Sequence, residues 1–196
     1  MTQKTNIAIF ASGNGSNAQA IVEQTQNGTI DARVVLVVCD NADALVIERA
    51  KNLGVPCRVF NRNEFASKVD FERNVLSVLN DFEVEFLVLA GFMRLIGKTL
   101  LQKFPKKIVN IHPSLLPKYK GLDAIKQALD NHETTLGVSI HYVDEGMDTG
   151  EVIAQKSIYI NENNQLQDVE KQIHSLEHKL YIETLAMLFQ PQNKKP

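Results

Sequence analysis

Asn110 and His112 lie two residues apart in "VNIHPSLLPKYKG" (Val109–Gly121), at the end of an apolar run. Residues i and i+2 of a strand face the same side, so the amide and the imidazole share a face and Ile111 packs the other way. Pro113 ends the run, because it has no N–H to give a ladder. A polar pair on an otherwise apolar strand is costly to bury unless it is satisfied or used. The alternative is a hydrogen-bonded core histidine. In "HYVDEGMDTGEVI" (His141–Ile153), Asp144, Glu145 and Asp148 crowd a glycine-bearing loop. Most such loops are solvated turns. A carboxylate from this loop beside His112 would favour the imidazolium and make it a proton donor. Asn110 could then hydrogen-bond a developing oxyanion. No serine or cysteine nucleophile accompanies the set. Ser114 is near His112 in sequence but lacks a G-x-S-x-G elbow. The chemistry expected is direct transfer, without a covalent enzyme intermediate.

A second stretch, "FASGNGSNAQA" (Phe10–Ala20), follows the apolar run Ile7–Phe10 and precedes a helix-like segment. Gly13-Asn14-Gly15-Ser16-Asn17-Ala18 fits G-x-G-x-x-A, and Asp40 ends the next strand where a dinucleotide site keeps its ribose carboxylate. A dinucleotide enzyme is therefore one reading, and a tight turn without ligand is another. Free N–H groups and the helix dipole converge at such a turn and favour a phosphate. The side chains of Asn14, Ser16 and Asn17 suit a terminal phosphate better than a buried diester. The loop leans toward a monophosphate without deciding whose it is.

Elements that alternate in type must position these residues. Asn6–Ala11, Ala32–Asp40, Val55–Phe60, Glu85–Gly91 and Lys106–Ile111 read as strands. Ser16–Gln26, Ala42–Gly54 and Glu64–Asn80 read as helices between them. That order predicts an α/β fold with a doubly wound, Rossmann-like, mostly parallel sheet. Gly121–His132 reads as a further helix. Thr134–Val143 and Glu151–Ile160 read as two alternating strands, hence an antiparallel extension. Leu166–Phe189 closes the chain as a long helix, and 191–196 should fray.

The 196 residues are 44% hydrophobic and 22% charged, with a net charge of −2. That allows a substantial core and gives no polyanion-binding surface, so nucleic acid is not an expected partner. Cys39 and Cys57 have no metal or C-x-x-C spacing and read as free thiols of a reducing compartment. No signal-peptide pattern or bilayer-length apolar run is evident, so a cytoplasmic protein without membrane partners is expected. A two-His-one-carboxylate metal site from His112, His141 and Asp148 is conceivable, but a packed or hydrogen-bonded His141 is the expectation, with no metal. His132, His174 and His178 read as ordinary helix or loop residues.

"SGNGSN", "LAGFMRLI", "NIHPSLLPKYKG" and "GVSIHYVDEGMDTGEVI" occur together and in order. In this combination the chain resembles the phosphoribosylglycinamide formyltransferase family, from about Ile7 to the C-terminal helix. The resemblance implies transfer of a formyl group from 10-formyltetrahydrofolate, as co-substrate, to the amine of glycinamide ribonucleotide in purine synthesis. It implies one formyltransferase domain over 1–196. About 1–105 would form the ribonucleotide half and about 106–190 the catalytic and folate half. Asn110, His112 and Asp148 match the family's catalytic trio. Gly15, Ser16 and Asn17 match the phosphate loop, Glu177 a ribonucleotide contact, and Asp40 then has no ribose to bind. Lys68, Met93, Arg94, Leu95, Ile96 and Asp144 match the folate pocket, with Asn110 and Asp148 at its reacting end. Lys68 replaces an arginine frequent in the family, which keeps the charge and loses the bidentate fork. Leu122-Asp123-Ala124-Ile125 departs from members that carry a histidine there. The resemblance also implies a cis Leu116–Pro117 bond. A monomer or weak homodimer is expected.

Overall fold

The computed structural model describes residues 4–161 and 164–190; the expected fraying of 191–196 lies outside them. Seven strands form one sheet: β1 Thr5–Ala11, β2 Ala32–Cys39, β3 Cys57–Val59, β4 Phe86–Leu89, β5 Ile108–His112, β6 Thr135–Tyr142 and β7 Val152–Tyr159. Their spatial order is β3-β2-β1-β4-β5-β6-β7. The first five are parallel, and β6 and β7 run antiparallel, as the change of hydrophobic pattern predicts. Parallel strands need crossovers, which the helices supply. These are α1 Ser16–Gln26, α2 Val46–Asn52, α3 Lys68–Asp81, α4 Lys98–Lys103, α5 Ala124–Asp130 and α6 Leu166–Leu188.

The period of two along each strand sorts the apolar side chains into two cores. Ile7, Ile9, Val37, Val88, Val109 and Ile140 face α1, α2 and α6. Ala8, Phe10, Leu36, Val38, Leu87 and Ile108 face α3 and α4. Covered on both faces, the central strands read as unbroken apolar runs. Tyr181 of α6 is wholly buried and ties the layers together. Its hydroxyl donates to the Leu89 carbonyl of β4 at 2.8 Å and the Val109 carbonyl of β5 at 3.3 Å.

Local chemistry moves several boundaries. The helix expected from Ala42 starts at Val46, because Asn41 Oδ1 accepts from the Asp43 N–H and holds a turn. The helix expected from Glu64 starts at Lys68, where Ser67 Oγ accepts from the Asp70 N–H as an N-cap. Arg62–Glu64 forms a separate 3-10 turn. The helix expected over Gly121–His132 shortens to α5, after a loop in which Tyr119 and Asp123 take positive φ. The six-residue α4 was not expected, since so short a helix shows no periodicity.

The topological switch lies between β1 and β4, where crossovers leave in opposite directions. The loops after these strands diverge and leave a crevice at the carboxyl end of the sheet. The Ser12 N–H to Gly91 carbonyl bond, 3.0 Å, joins them at its floor.

Candidate active site

β5 ends in this crevice, and β6 lies beside it with Asn110 opposite His141 and His112 opposite Ser139. Strand parity puts all four side chains on one face. The loop between β6 and β7 returns Asp148 to them, with Asp148 itself at φ 51°. Asp148 Oδ2 is 3.4 Å from His112 Nδ1, and Oδ1 is 3.4 Å from His141 Nε2. Asn110 Nδ2 faces Asp148 Oδ1 at 3.4 Å and His141 Nε2 at 3.2 Å. The Gly121 N–H donates to Asp148 Oδ2 at 2.9 Å. The expected trio is thus brought together from β5 and one distant loop.

Asp148 is only 12% exposed on its side chain. Burial alone would raise its pKa; the hydrogen bond with His141, the Gly121 N–H and the two imidazoles outweigh it and hold the carboxyl below its ordinary value. His112 Nε2 donates to the Tyr119 carbonyl at 2.7 Å. With Nδ1 facing Asp148, each ring nitrogen therefore has an acceptor beside it. His141 Nδ1 donates to the Tyr142 carbonyl at 2.8 Å, and Nε2 stands between Asn110 Nδ2 at 3.2 Å and Asp148 Oδ1 at 3.4 Å. His141 is thus hydrogen-bonded, as expected, and it packs into the Asn110–His112–Asp148 cluster, where the sequence reading had put it only in the metal-site alternative. Its signal was its place on an alternating strand; only the β5–β6 register pairs it with Asn110. Asn110 Nδ2 is within hydrogen-bond reach of both His141 and Asp148, so donating to a substrate oxygen requires exchanging one of these contacts. Ser114 Oγ donates to the Lys118 carbonyl and is no nucleophile. Among the described residues, no group of three His, Cys, Asp or Glu side chains is arranged to hold a metal ion.

The glycine loop meets α1 at the other side of the crevice. Gly15 has φ 75°, and a Cβ there would lie 2.5 Å from Val46 Cγ2, so both conformation and space demand glycine. Ser16 and Asn17 open α1 after this turn, so their N–H groups have no intrahelical partners. Asn17 Nδ2 donates to Glu177 Oε2 of α6 at 3.1 Å, uniting the expected loop and Glu177. His174 Nδ1 reaches the same oxygen at 2.9 Å. The Glu177 carboxylate raises the His174 pKa, against partial burial. Arg49 of α2 donates to the Asn14 carbonyl at 2.8 Å and to its Oδ1 at 3.0 Å. Arg49 thus takes both the carbonyl and the Oδ1 of Asn14, and neither bond uses the Asn14 Nδ2 donor. Sequence reasoning missed Arg49, because a lone cation on a helix carries no signal of its target.

The expected folate residues divide. Met93 and Leu95 are 69% and 48% exposed, beside the crevice. Ile96 is packed into the core against α3 and α4, so only its backbone can line a pocket. Arg94 pairs through Nε with Asp40, which gives Asp40 a partner that is no ribose. Lys68 is exposed at the start of α3, its stem running beside Gly97. Asp144 closes its own loop, accepting from the Gly146 N–H at 3.0 Å and Thr149 Oγ1 at 2.6 Å. The Leu116–Pro117 bond is cis, as the resemblance implies.

A formyl transferase family model matches residues 5–185. Phosphoribosylglycinamide formyltransferase of Bacillus subtilis is 48% identical over 187 residues, covering 95% of this chain and 96% of its own. The human trifunctional purine biosynthetic protein adenosine-3 is 32% identical over 186 residues, covering 95% of this chain and 18% of its own. The crystal structure of glycinamide ribonucleotide transformylase 1 from Geobacillus kaustophilus superimposes with a TM-score of 0.93 at 48% identity. The match covers 96% of this chain and all of that one. Sequence and fold agree from end to end of the sheet, and the chain belongs to the formyl transferase family.

Proposed function

We propose that the Asn110–His112–Asp148 cluster transfers the formyl group of 10-formyltetrahydrofolate to the amine of glycinamide ribonucleotide. The products are formylglycinamide ribonucleotide and tetrahydrofolate. The observation that carries this reading is one carboxylate, Asp148, touching His112, Asn110 and His141 at the crevice that the α1 phosphate cradle also borders. The 48% identity with a phosphoribosylglycinamide formyltransferase along nearly the whole chain supports the same substrates.

The ribonucleotide's 5′-phosphate binds the N–H groups of Ser16 and Asn17, and Glu177 makes a further contact with the ribonucleotide. The exposed Met93 and Leu95 receive the flat folate ring, with Lys68 and Arg94 at the rim. The amine then attacks the formyl carbon. His112, in its charged form, gives up its bond to the Tyr119 carbonyl and donates to the developing oxyanion, and Asn110 supplies a second donor. As the new C–N bond forms and the bond to folate N10 breaks, the amine's proton passes to N10 by way of His112. Asp148 stabilises the imidazolium throughout. The protein's contribution is positioning and preorganised charge. We place the enzyme in the cytoplasm, a reading supported by its two free cysteines, Cys39 and Cys57.

A formyl-transfer assay following folate absorbance tests the proposal, with His112→Ala beside the wild type. Turnover that requires the ribonucleotide and collapses in the variant is expected. Folate release without ribonucleotide would indicate a hydrolase instead, and no turnover by folded protein would reject the transfer.

A further inference from the structure

From Gly91 to Gly97 the chain is irregular, crossing the open end of the sheet between β4 and α4. No ladder fixes it, so side chains must. Ser12 Oγ accepts from the Met93 N–H at 2.9 Å. The other two ties are carboxylates taken out of water. Asp40, at the end of β2, accepts from Arg94 Nε with its side chain 6% exposed. Glu72, on α3, accepts from the Gly97 N–H and is 2% exposed. A Cβ on Gly97 would lie 2.6 Å from Glu72 Oε1 and 2.8 Å from Lys68 Cε, so carboxylate, lysine stem and backbone are in close contact.

Buried carboxylates are rare and costly unless each holds something. These two hold opposite ends of one segment from different elements. Asp40 Oδ1 has no hydrogen-bond partner among the described residues, so Arg94 is the contact that explains its burial. With Nε committed, the two Nη groups of Arg94 make no hydrogen bond among the described residues, and the side chain is 41% exposed. Glu72 sets where the segment enters α4 and lies against the lysine stem. Neither carboxylate belongs to the Asp148 cluster or the phosphate cradle.

We propose that Asp40 and Glu72 are positioning residues for the formyl-folate site. Asp40 orients Arg94 and Glu72 anchors Gly97, so the Met93–Ile96 backbone, Arg94 and Lys68 are arranged before the folate arrives. Preorganisation of this kind lowers the ordering cost of binding. The inference rests on the assignment of Met93–Ile96 to the folate pocket.

Glu72→Leu and Asp40→Ala remove the ties, whereas Glu72→Gln keeps an oxygen for the Gly97 N–H. Steady-state kinetics with both substrates would be combined with calorimetric titration of a non-transferable 10-formyl-folate analogue and thermal unfolding. Loss of one charge-assisted tie should raise the folate KM and the analogue Kd by about tenfold in Glu72→Leu and Asp40→Ala. The ribonucleotide KM should stay within about twofold, and Glu72→Gln should restore most of the folate affinity. Parallel rises in both KM values, unchanged folate affinity, or a Glu72→Gln as impaired as Glu72→Leu would overturn the proposal. A wild type that binds the analogue but does not use the ribonucleotide would remove the acceptor assignment alone, since the titration reads the folate site without turnover.

Discussion

Asp148→Asn keeps the shape of the side chain and deletes the charge between two imidazoles. In the wild type, Oδ2 is 3.4 Å from His112 Nδ1. Unit charges at that distance attract by about 5 kcal/mol at an effective dielectric of about 20 and by about 1 kcal/mol in bulk water. With the two side chains 12% and 7% exposed, the site lies between these limits. An amide can still accept from the Gly121 N–H, but its NH2 must then face Asn110 Nδ2 and His141 rather than receive their donors. Loss of about 3 kcal/mol of imidazolium stabilisation in the transition state corresponds to roughly a hundredfold fall in kcat. The ribonucleotide KM should hardly move, because the cradle at Gly15–Asn17 makes no contact with Asp148. The assay is folate release at pH 7 under saturating substrates, with circular dichroism to verify the fold. A folded variant retaining more than about a tenth of wild-type kcat would refute the electrostatic role, since it would leave less than about 1.4 kcal/mol for the carboxylate. The same charge links stability to pH. Its carboxyl is held below the ordinary value, so the stabilisation is present above the unfolded pKa of about 4 and is lost as pH falls through the folded one. The wild-type advantage in Tm over Asp148→Asn should therefore shrink in acid.

Other outcomes follow from single contacts. His174 is raised by Glu177, so its ion pair stabilises fully below about pH 6.5 and is lost as pH rises through the folded pKa. Thermal unfolding of His174→Ala should therefore lag the wild type more at pH 6 than at pH 9, and an equal lag at both would count against the pair. Gly15→Ala forces a side chain at φ 75° against Val46. It should raise the ribonucleotide KM at least about tenfold by displacing the α1 N–H groups, and unchanged ribonucleotide affinity would contradict the cradle. Tyr181→Phe removes the donor shared by the Leu89 and Val109 carbonyls, at a cost of about 1–3 kcal/mol by denaturant unfolding, with kcat preserved. A loss below about 0.5 kcal/mol would show the two carbonyls satisfied without it.

Much of this protein could be read from its chain because the signals are local. The β-branched run of β2 announced a strand covered on both faces, and alternation in β6 and β7 announced the antiparallel end. Asn110 and His112 shared a face by the period of two alone. Ordered motifs shared with one family carried the substrates, which no physical reading of the residues had named. What stayed hidden was short or long-range. The six-residue α4 is below the length at which periodicity speaks. Ile96 reads as a pocket residue until α3 and α4 close over it. His141 joins Asn110 only through strand register, and Arg49 meets Asn14 across 35 residues. Asp40 and Glu72 each gain meaning from a partner on another element. The sequence by itself determined which elements form, since propensity and periodicity act between neighbours. Tertiary structure alone decided which charges meet and which are buried, because a carboxylate's role depends on the dielectric and the donors that distant segments bring to it.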